Sequence, residues 1–147
     1  MMANTGGTIL VTGASRGIGL ATSSRLTRGG YDVIGLARNP PEDKFVGEFH
    51  AVDLADRSAT AAMLEEIATG VEITGLVNNV GINRVQSLGE VDLDVFDEII
   101  DINLRTAIQC AQAVLPGMKA RGYGRIVNIS SRAALGREGR TGYSAAK

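Results

Sequence analysis

The stretch TILVTGASRGIG, at residues 8–19, constrains the fold more than any other part of the chain. Its first four residues are apolar or β-branched, which favours a strand buried on both faces, and Thr12 and Gly13 end that run. Glycines stand at positions 13, 17 and 19. A turn whose backbone approaches a diphosphate needs residues without a Cβ, and a helix starting beside Gly17 directs free N–H groups at the anion. The stretch therefore predicts a nucleotide site, although glycine-rich loops that bind nothing share this spacing.

Alternating strand and helix patterns follow this turn. Apolar and β-branched runs predict four further strands, at residues 31–37, 48–52, 74–78 and 125–130. Helical periodicity predicts a helix from Ile18 to a stop at Gly29 and Gly30, a second from an Asp56 N-cap to about Thr69, and a third over 92–120. Strands that alternate with helices in this way indicate βαβ units on a parallel sheet.

The long third helix and the end of the chain carry further detail. Apolar residues such as Ile99, Ile108 and Leu115 recur at helical spacing, and Pro116 should kink or loosen the final turn. The last five residues, YSAAK, are typical of the first turn of another helix. The strand before them, at 125–130, is expected to present a bare hydrophobic edge.

Composition and charge exclude several classes of function. Fifteen basic and sixteen acidic residues give a formal net charge of −1, so no overall field attracts nucleic acid or an anionic membrane. A single cysteine, Cys110, and a single histidine, His50, supply neither a disulfide nor a metal site, and both are expected to pack in the fold. The polar start MMANTGG and the absence of an apolar run near ~20 residues predict no signal peptide, no membrane span and a cytoplasmic location.

Five features occur in one chain order: TGASRGIG at 12–19, Asp53, NNVG at 78–81, Asn103, and IVNISS followed by Tyr143-x-x-x-Lys147. In this order the chain resembles the short-chain dehydrogenase/reductase family over essentially its whole length. The resemblance implies one NADP-binding domain over residues 1–147, an α/β Rossmann-type doubly wound parallel sheet. Its strand order would be 3-2-1-4-5, with the later strands of the family missing.

The Tyr143 and Lys147 pair has a physical reading of its own. A tyrosine hydroxyl ordinarily ionises near pH ~10, and a lysine one helical turn later places its positive charge where it favours the phenolate. The resemblance extends this pair to a catalytic tetrad. It implies that Asn103 relays water and protons, Ser131 orients the substrate, Tyr143 is the general acid/base, and Lys147 binds the cofactor ribose and acidifies the tyrosine.

Ser131 and Val80 depart from the family pattern. Ser131 lies one residue closer to Tyr143 than the family leads one to expect, which a one-residue deletion in the intervening loop would explain. Val80 replaces the alanine of the family's Asn-Asn-Ala-Gly motif, and its extra methyl groups should lie near the adenosine ribose. The same motif implies that Asn79 and Gly81 line the cofactor and that Asn78 is structural.

The cofactor is predicted to be NADP(H). NAD enzymes of this architecture place an acid at the end of the second strand for the ribose 2′-OH, and here that position holds Arg38. Arg16 lies inside the glycine turn, and two arginines suit a 2′-phosphate. The alternative is that both are solvated surface charges. The residues expected to bind the cofactor are Gly13, Ser15, Arg16, Gly17, Ile18, Gly19, Arg38, Asp53, Leu54, Asn79, Gly81, Tyr143 and Lys147.

The substrate and the partners are less specified. The segment Gly81-Ile82-Asn83-Arg84 resembles a loop of 3-oxoacyl-acyl-carrier-protein reductases, which implies a small-molecule or carrier-bound ketone. Lys119, Arg121 and Arg125 could meet an acidic carrier or could simply be cations at the negative end of a helix. The family also implies a homo-oligomer, commonly a tetramer.

Because family members continue beyond the position of Lys147, two functions stay open. The sequence could be the N-terminal part of a longer reductase, or a nucleotide-binding or interaction fragment without turnover. In a short terminal helix, fraying and the neighbouring terminal carboxylate would both disturb Lys147.

Overall fold

Five parallel strands form one sheet in the computed structural model, which describes residues 6–147. The strands are β1 (Thr8–Thr12), β2 (Asp32–Ala37), β3 (Glu48–Ala51), β4 (Ile73–Asn78) and β5 (Arg125–Asn128). Their spatial order is β3-β2-β1-β4-β5, which confirms the predicted doubly wound topology. The chain reverses direction across the sheet between β3 and β4, so the carboxyl ends of β1 and β4 flank the switch point where such sheets bind ligands.

Helices connect the strands and cover both faces of the sheet. They are α1 (Gly17–Arg28), α2 (Arg57–Gly70), α3 (Leu93–Ile100), α4 (Thr106–Arg121) and α5 (Thr141–Ala146). Short 3₁₀ turns lie at Leu88–Glu90 and Arg132–Leu135. In α4 the helix continues past Pro116 to Arg121, and Gly122, at φ 66°, then ends it in the left-handed conformation.

The prediction of one regular helix over 92–120 is wrong at its centre. Residues Asp101–Arg105 form a π-helical turn between α3 and α4, in the middle of the predicted helix. A π turn widens the hydrogen-bond ladder by one residue and is frequent at functional sites. The turn carries Asn103, the first member of the predicted tetrad.

Strand ends differ from their predicted positions where a partner strand ends. Among the described residues β5 pairs only with β4, and their last pair is Asn78 with Asn128, so β5 stops at Asn128 rather than at Ser130. β3 stops at Ala51 rather than at Val52, because its last partner on β2 is Ala37. The N–H groups of Ile129 and Val52 still donate to the carbonyl oxygens of Asn78 and Ala37, both at 2.9 Å, so the apolar pattern overestimates each strand only beyond its last residue pair.

The core has two parts, one on each face of the sheet. Leu10, Leu36 and Leu76 pack on one face with the inner sides of α2 and α4. Cys110 is fully buried there, as predicted, and burial raises the pKa of its thiol to about 12. On the other face Val11 and Val77 pack with neighbours from α1.

His50 is only partly buried. Its imidazole lies 2.8 Å from a carboxylate oxygen of Glu48 on the same face of β3. The histidine therefore pairs with a neighbouring side chain of its own strand rather than filling the interior.

Apolar side chains are exposed along β5 and one side of the long helix. Ile126 and Val127 of β5 are 39% and 49% exposed, and β5 is the outermost strand on its side of the sheet within residues 6–147. Ile108 and Leu115 of α4 are also exposed, while Val114 and Met118 face the core. Across residues 6–147, no helix is both long and apolar enough to span a membrane. The expectation about a signal peptide falls largely on residues 1–5, which lie outside the described residues.

Candidate active site

The glycine turn after β1 is held by close backbone contacts. Gly13 and Gly17 have φ angles of 66° and 54°, in the left-handed region that glycine enters without strain. Gly19, in the first turn of α1, packs directly under the carbonyl group of Gly13, where a methyl group would lie 2.2 Å from the oxygen. The spacing of the three glycines is therefore required by the shape of the turn itself.

The N-terminus of α1 lacks the side-chain cap that α2 and α3 have. Asp56 and Asp92 accept hydrogen bonds from the first backbone N–H groups of α2 and α3. At α1 the cap position holds Arg16, whose side chain makes no capping bond within the described part of the chain, and the first turn has no acidic residue. The N–H groups and the positive dipole end of α1 thus suit an external anion such as a diphosphate.

Thr12 and Asn79 tie the glycine turn to the end of β4. The amide of Asn79 donates to the carbonyl oxygens of Thr12 and Gly13, at 3.0 and 3.1 Å. The hydroxyl of Thr12 accepts from the backbone N–H groups of Asn79 and Val80, at 3.0 and 3.1 Å. The sequence reasoning assigned Asn79 to the cofactor and gave Thr12 no role. Their contacts show that both hold the shape of the turn.

A cleft of about 650 Å³ opens over this turn at the carboxyl ends of the strands. Nine of the predicted cofactor residues line it: Gly13, Ser15, Arg16, Gly17, Arg38, Asp53, Leu54, Asn79 and Gly81. Arg16 and Arg38 are both exposed at its edge. The other four predicted cofactor residues are not among the lining residues. The Ile18 side chain is 62% exposed outside the cleft, Gly19 is buried beneath the turn, and Tyr143 and Lys147 belong to the α5 end of the chain.

Asn103 projects from the π turn toward the end of the Asn79–Gly81 segment. Its side-chain amide donates to the carbonyl oxygens of Ile82, at 2.9 Å, and Ile99, at 2.8 Å. Its Oδ1 atom is buried and has no hydrogen-bond partner within residues 6–147. Since a methyl group on Gly81 would lie 2.5 Å from this oxygen, the oxygen faces Gly81. A buried acceptor without a partner is costly, and a donor group or water at this point would satisfy it.

Lys147 reaches the same point from the other side. A methyl group on Gly81 would lie 3.3 Å from its Nζ atom, which donates to the carbonyl oxygen of Ile129 at 3.0 Å. Burial lowers the pKa of the Lys147 ammonium. Tyr143, one turn earlier in α5, has its ring centroid 5.9 Å from this Nζ atom. Asn103 and Lys147 therefore meet beside Gly81, and the Tyr143 ring lies next to Lys147.

The two adjacent serines after β5 make different bonds. Ser130 donates its hydroxyl hydrogen to the carbonyl oxygen of Lys147 at 2.7 Å. Ser131 accepts from the N–H of Ala133 at 3.1 Å and so caps the 3₁₀ turn that follows. Because a hydroxyl has one donor and two acceptor sites, this bond does not use the hydrogen of Ser131. The contacts thus leave Ser131, rather than Ser130, able to donate to a ligand.

Asn78 and Val80 flank Asn79 and have structural contacts of their own. The amide of Asn78 donates to the side-chain oxygen of Asn128 at 2.9 Å and so joins β4 to β5. Val80 packs against the core cluster on the α2 and α4 face and also lines the cleft.

The three basic residues near the end of α4 do not form one free surface. Arg121 is half-buried and donates to the carbonyl oxygen of Ile73. The guanidinium of Arg125 stacks 4.9 Å above the ring of Tyr123. Arg121 is thus engaged within the fold, whereas Arg125 stacks on an exposed ring and stays at the surface.

A charged network that the sequence reasoning missed supports the π turn. Both carboxylate oxygens of Asp101 accept from Arg105, one helical turn later, and Oδ1 also accepts from Arg57 of α2 at 2.8 Å. The hydrogen bond from Arg105 lowers the pKa of Asp101, although burial opposes the shift. The spacing of four residues between Asp101 and Arg105 is a signal that could have identified this pair.

Replacing Asp101 with asparagine should destabilise the fold in a pH-dependent way. At neutral pH we expect the free energy of unfolding to fall by about 1–2 kcal/mol, since charge-assisted hydrogen bonds are lost. Because folding lowers the pKa of Asp101, its contribution is present above the ordinary value of 3.8 and disappears as the pH falls through the folded-state value. Urea unfolding of both proteins from neutral to acidic pH checks this. A difference in stability that stays constant into strong acid would contradict it.

Comparison with known proteins gives consistent matches. The family model described as short chain dehydrogenase matches residues 7–147. A short-chain reductase named NovJ from Streptomyces niveus is 37% identical over 94% of this chain and 57% of its own length. A 3-oxoacyl-[acyl-carrier-protein] reductase from Vibrio harveyi is 35% identical over 94% of this chain and 60% of its own.

A solved structure shares the fold closely. It is described as an NAD(P)-dependent gluconate 5-dehydrogenase from Beutenbergia cavernae, with NADP bound at low occupancy. It superposes with a TM-score of 0.90 at 32% identity, covering 97% of this chain and 61% of that one. The chain thus spans about three-fifths of the length of the relatives it matches.

Proposed function

The chain belongs to the short-chain dehydrogenase family, and from this premise we propose that it is the NADP-binding domain of a carbonyl reductase. The reaction is hydride transfer between NADP(H) and a ketone, with a β-keto thioester as the preferred substrate class. One observation supports the catalytic assignment most: the buried Asn103 Oδ1 and the Lys147 ammonium meet beside Gly81 at the cleft, with Tyr143 adjacent.

The residues of the cleft suit a dinucleotide. The uncapped start of α1 and the glycine turn favour the diphosphate. Asp53, Leu54, Asn79 and Gly81 line the walls. The positive side chains of Arg16 and Arg38 favour NADP(H) over NAD(H), because a 2′-phosphate accepts charged hydrogen bonds from guanidinium groups. The bound cofactor would supply or accept the hydride.

We assign each catalytic residue one role. Tyr143 donates the proton to the ketone oxygen, and the Ser131 hydroxyl donates a hydrogen bond to that oxygen and orients it. The ammonium of Lys147, one turn from Tyr143, stabilises the phenolate that is left. The free Oδ1 of Asn103 holds a water beside Lys147, and this water passes the proton back from solvent.

Replacing Arg38 with aspartate should reverse the cofactor preference. We expect the affinity for NADPH to fall about 10- to 100-fold, because one charged donor to the 2′-phosphate is lost and a like charge is introduced. NADH affinity should hold or rise, since a carboxylate accepts from the ribose 2′-OH. Fluorescence titration with both cofactors measures this.

Arg28→Asp is the matched control for this experiment. Arg28 is also exposed, but it lies at the far end of α1, away from the cleft. An unchanged ratio of NADPH to NADH affinity in Arg38→Asp would refute the assignment of the 2′-phosphate to this residue.

The substrate assignment rests on the relatives. The name of the Vibrio harveyi relative implies a 3-oxoacyl thioester as its substrate. The solved structure from Beutenbergia cavernae is instead named for a sugar acid, gluconate. The test is an NADPH oxidation assay with a 3-oxoacyl thioester, a simple diketone and a keto sugar acid. We expect the highest kcat/KM for the thioester. NADPH binding without oxidation by any carbonyl compound would instead identify a nucleotide-binding fragment.

We also propose that the protein is a homo-oligomer with four subunits. The exposed apolar side chains Leu104, Ile108 and Leu115 on one side of the long helix support association through this helix. Light scattering gives the mass in solution, and a monomer at assay concentration would contradict this proposal.

A further inference from the structure

The side chain of Arg105 joins the long helix to the loop between β3 and α2. Its Nη2 atom donates to the carbonyl oxygen of Leu54 at 2.8 Å and also bonds Asp101. Its Nη1 atom donates to the side-chain oxygen of Gln109 at 2.6 Å. Only 18% of this side chain is exposed, so the guanidinium is held within the fold rather than solvated.

The loop that Arg105 holds lies at the Arg38 end of the cleft. Asp53 and Leu54 both line the cleft and begin one residue beyond the end of β3. β3 pairs with β2, and the N–H of Val52 donates to the carbonyl oxygen of Ala37 at 2.9 Å. Asp53 and Leu54 therefore stand beside Arg38, where the proposed function places the 2′-phosphate and the adenosine.

A second bond from the helix reaches the same carbonyl group. The hydroxyl of Thr106 donates to the Leu54 oxygen at 3.3 Å, from the residue after Arg105. Leu54 itself is buried, and the packing of its side chain restricts the movement of its main chain. The start of α4 thus fixes the main chain of the loop through two donors, of which the charged one is Arg105.

The π turn faces both ends of the cleft at once. Asn103, two residues before Arg105, bonds the carbonyl oxygen of Ile82 near Gly81. Arg105 contacts the opposite, Leu54 side. One five-residue segment of the long helix therefore contacts the predicted catalytic end and the predicted adenosine end of the same site.

We propose that Arg105 is a positioning residue for the adenosine half of the dinucleotide, acting by holding the Leu54 carbonyl group and with it the Asp53–Leu54 wall of the cleft. This inference rests on the proposed function, which places a dinucleotide in the cleft. It adds a residue that touches no part of the cofactor itself. Asp101 supports the role by balancing the charge of the guanidinium and fixing its plane.

The test measures how Arg105→Met changes the binding of NADPH and of its adenosine half, and the reaction with its nicotinamide half. The methionine keeps much of the side-chain volume and removes every hydrogen bond. We expect the dissociation constants of NADPH and of 2′,5′-ADP, the adenosine half alone, to rise about tenfold. The kcat/KM measured with reduced nicotinamide mononucleotide, which lacks the adenosine half, should stay within about twofold of the wild-type value. A general loss of structure would instead weaken the binding of NADPH and 2′,5′-ADP and also lower the kcat/KM with the mononucleotide.

Two further variants separate positioning from stability. Arg57→Met removes the other partner of Asp101 without touching Leu54, so it should leave the affinity for 2′,5′-ADP unchanged. Thr106→Val removes the second donor to the Leu54 carbonyl oxygen and should lower the affinity for 2′,5′-ADP about two- to threefold. This variant keeps the proposal testable if Arg105→Met does not fold.

Two results would overturn the inference. One is an unchanged affinity of Arg105→Met, or of Thr106→Val in its place, for 2′,5′-ADP. The other is a fall in the kcat/KM with reduced nicotinamide mononucleotide that is as large as the loss of affinity for 2′,5′-ADP. If the wild-type protein binds neither NADPH nor 2′,5′-ADP, the proposed function itself fails, and that outcome is distinct from a variant that binds like the wild type.

Discussion

Replacing Gly19 with alanine is expected to weaken NADPH binding by more than about 100-fold. The added methyl group would lie 2.2 Å from the carbonyl oxygen of Gly13; the backbone fixes the position of the methyl group, and the oxygen is itself a backbone atom, so neither can simply rotate away. The turn must therefore open or α1 must shift, and either change misplaces the N–H groups that suit the diphosphate. Fluorescence titration with NADPH measures the affinity, and thermal unfolding shows whether the fold persists.

Gly70→Ala provides the control for this substitution. Gly70 ends α2, and a methyl group there meets nothing within 4 Å. We expect this variant to bind NADPH like the wild-type protein and to be equally or slightly more stable. Wild-type NADPH affinity in a folded Gly19→Ala protein would show that the glycine turn is not the diphosphate site.

Replacing Tyr143 with phenylalanine is expected to lower kcat for ketone reduction by about 10²- to 10⁴-fold, the usual range for a lost general acid. The substitution removes one hydroxyl group and keeps the ring beside Lys147. NADPH affinity should therefore change little, and the loss should fall on kcat rather than on cofactor binding. Steady-state kinetics together with a cofactor titration separate the two quantities.

Tyr123→Phe is the matched control for the hydroxyl group. Tyr123 is 52% exposed near the start of β5, and its ring stacks under Arg125 rather than beside the cleft. Its kcat should equal the wild-type value. If Tyr143→Phe retained wild-type kcat, the proton donor would have to be another group.

Several elements could be predicted because their local pattern and their packing agree. The five strands and the glycine turn follow from runs of apolar residues and from glycines at positions that the turn requires, whereas the strand order is what the family resemblance implies. Asp56 and Asp92 begin helices because an aspartate oxygen accepts from the first N–H groups of α2 and α3. Cys110 is buried because it lies on the inner side of α4.

Other features depend on contacts between distant segments, which a pattern does not show. The π turn at Asp101–Arg105 interrupts a sequence with an ordinary helical period. Thr12 reads as the last residue of a strand, yet its hydroxyl joins that strand to Asn79, far along the chain. Arg121 reads as a surface cation at a helix end, whereas its side chain folds back onto Ile73.

Hydride transfer itself tests the central claim most directly. The protein is incubated with NADPH that carries deuterium at its hydride position and with a 3-oxoacyl thioester, and the mass of the product is measured. We predict a 3-hydroxyacyl thioester that has gained one deuterium on the carbinol carbon. NADPH that binds in the cleft without transferring deuterium to any ketone would contradict the catalytic role of Asn103, Ser131, Tyr143 and Lys147.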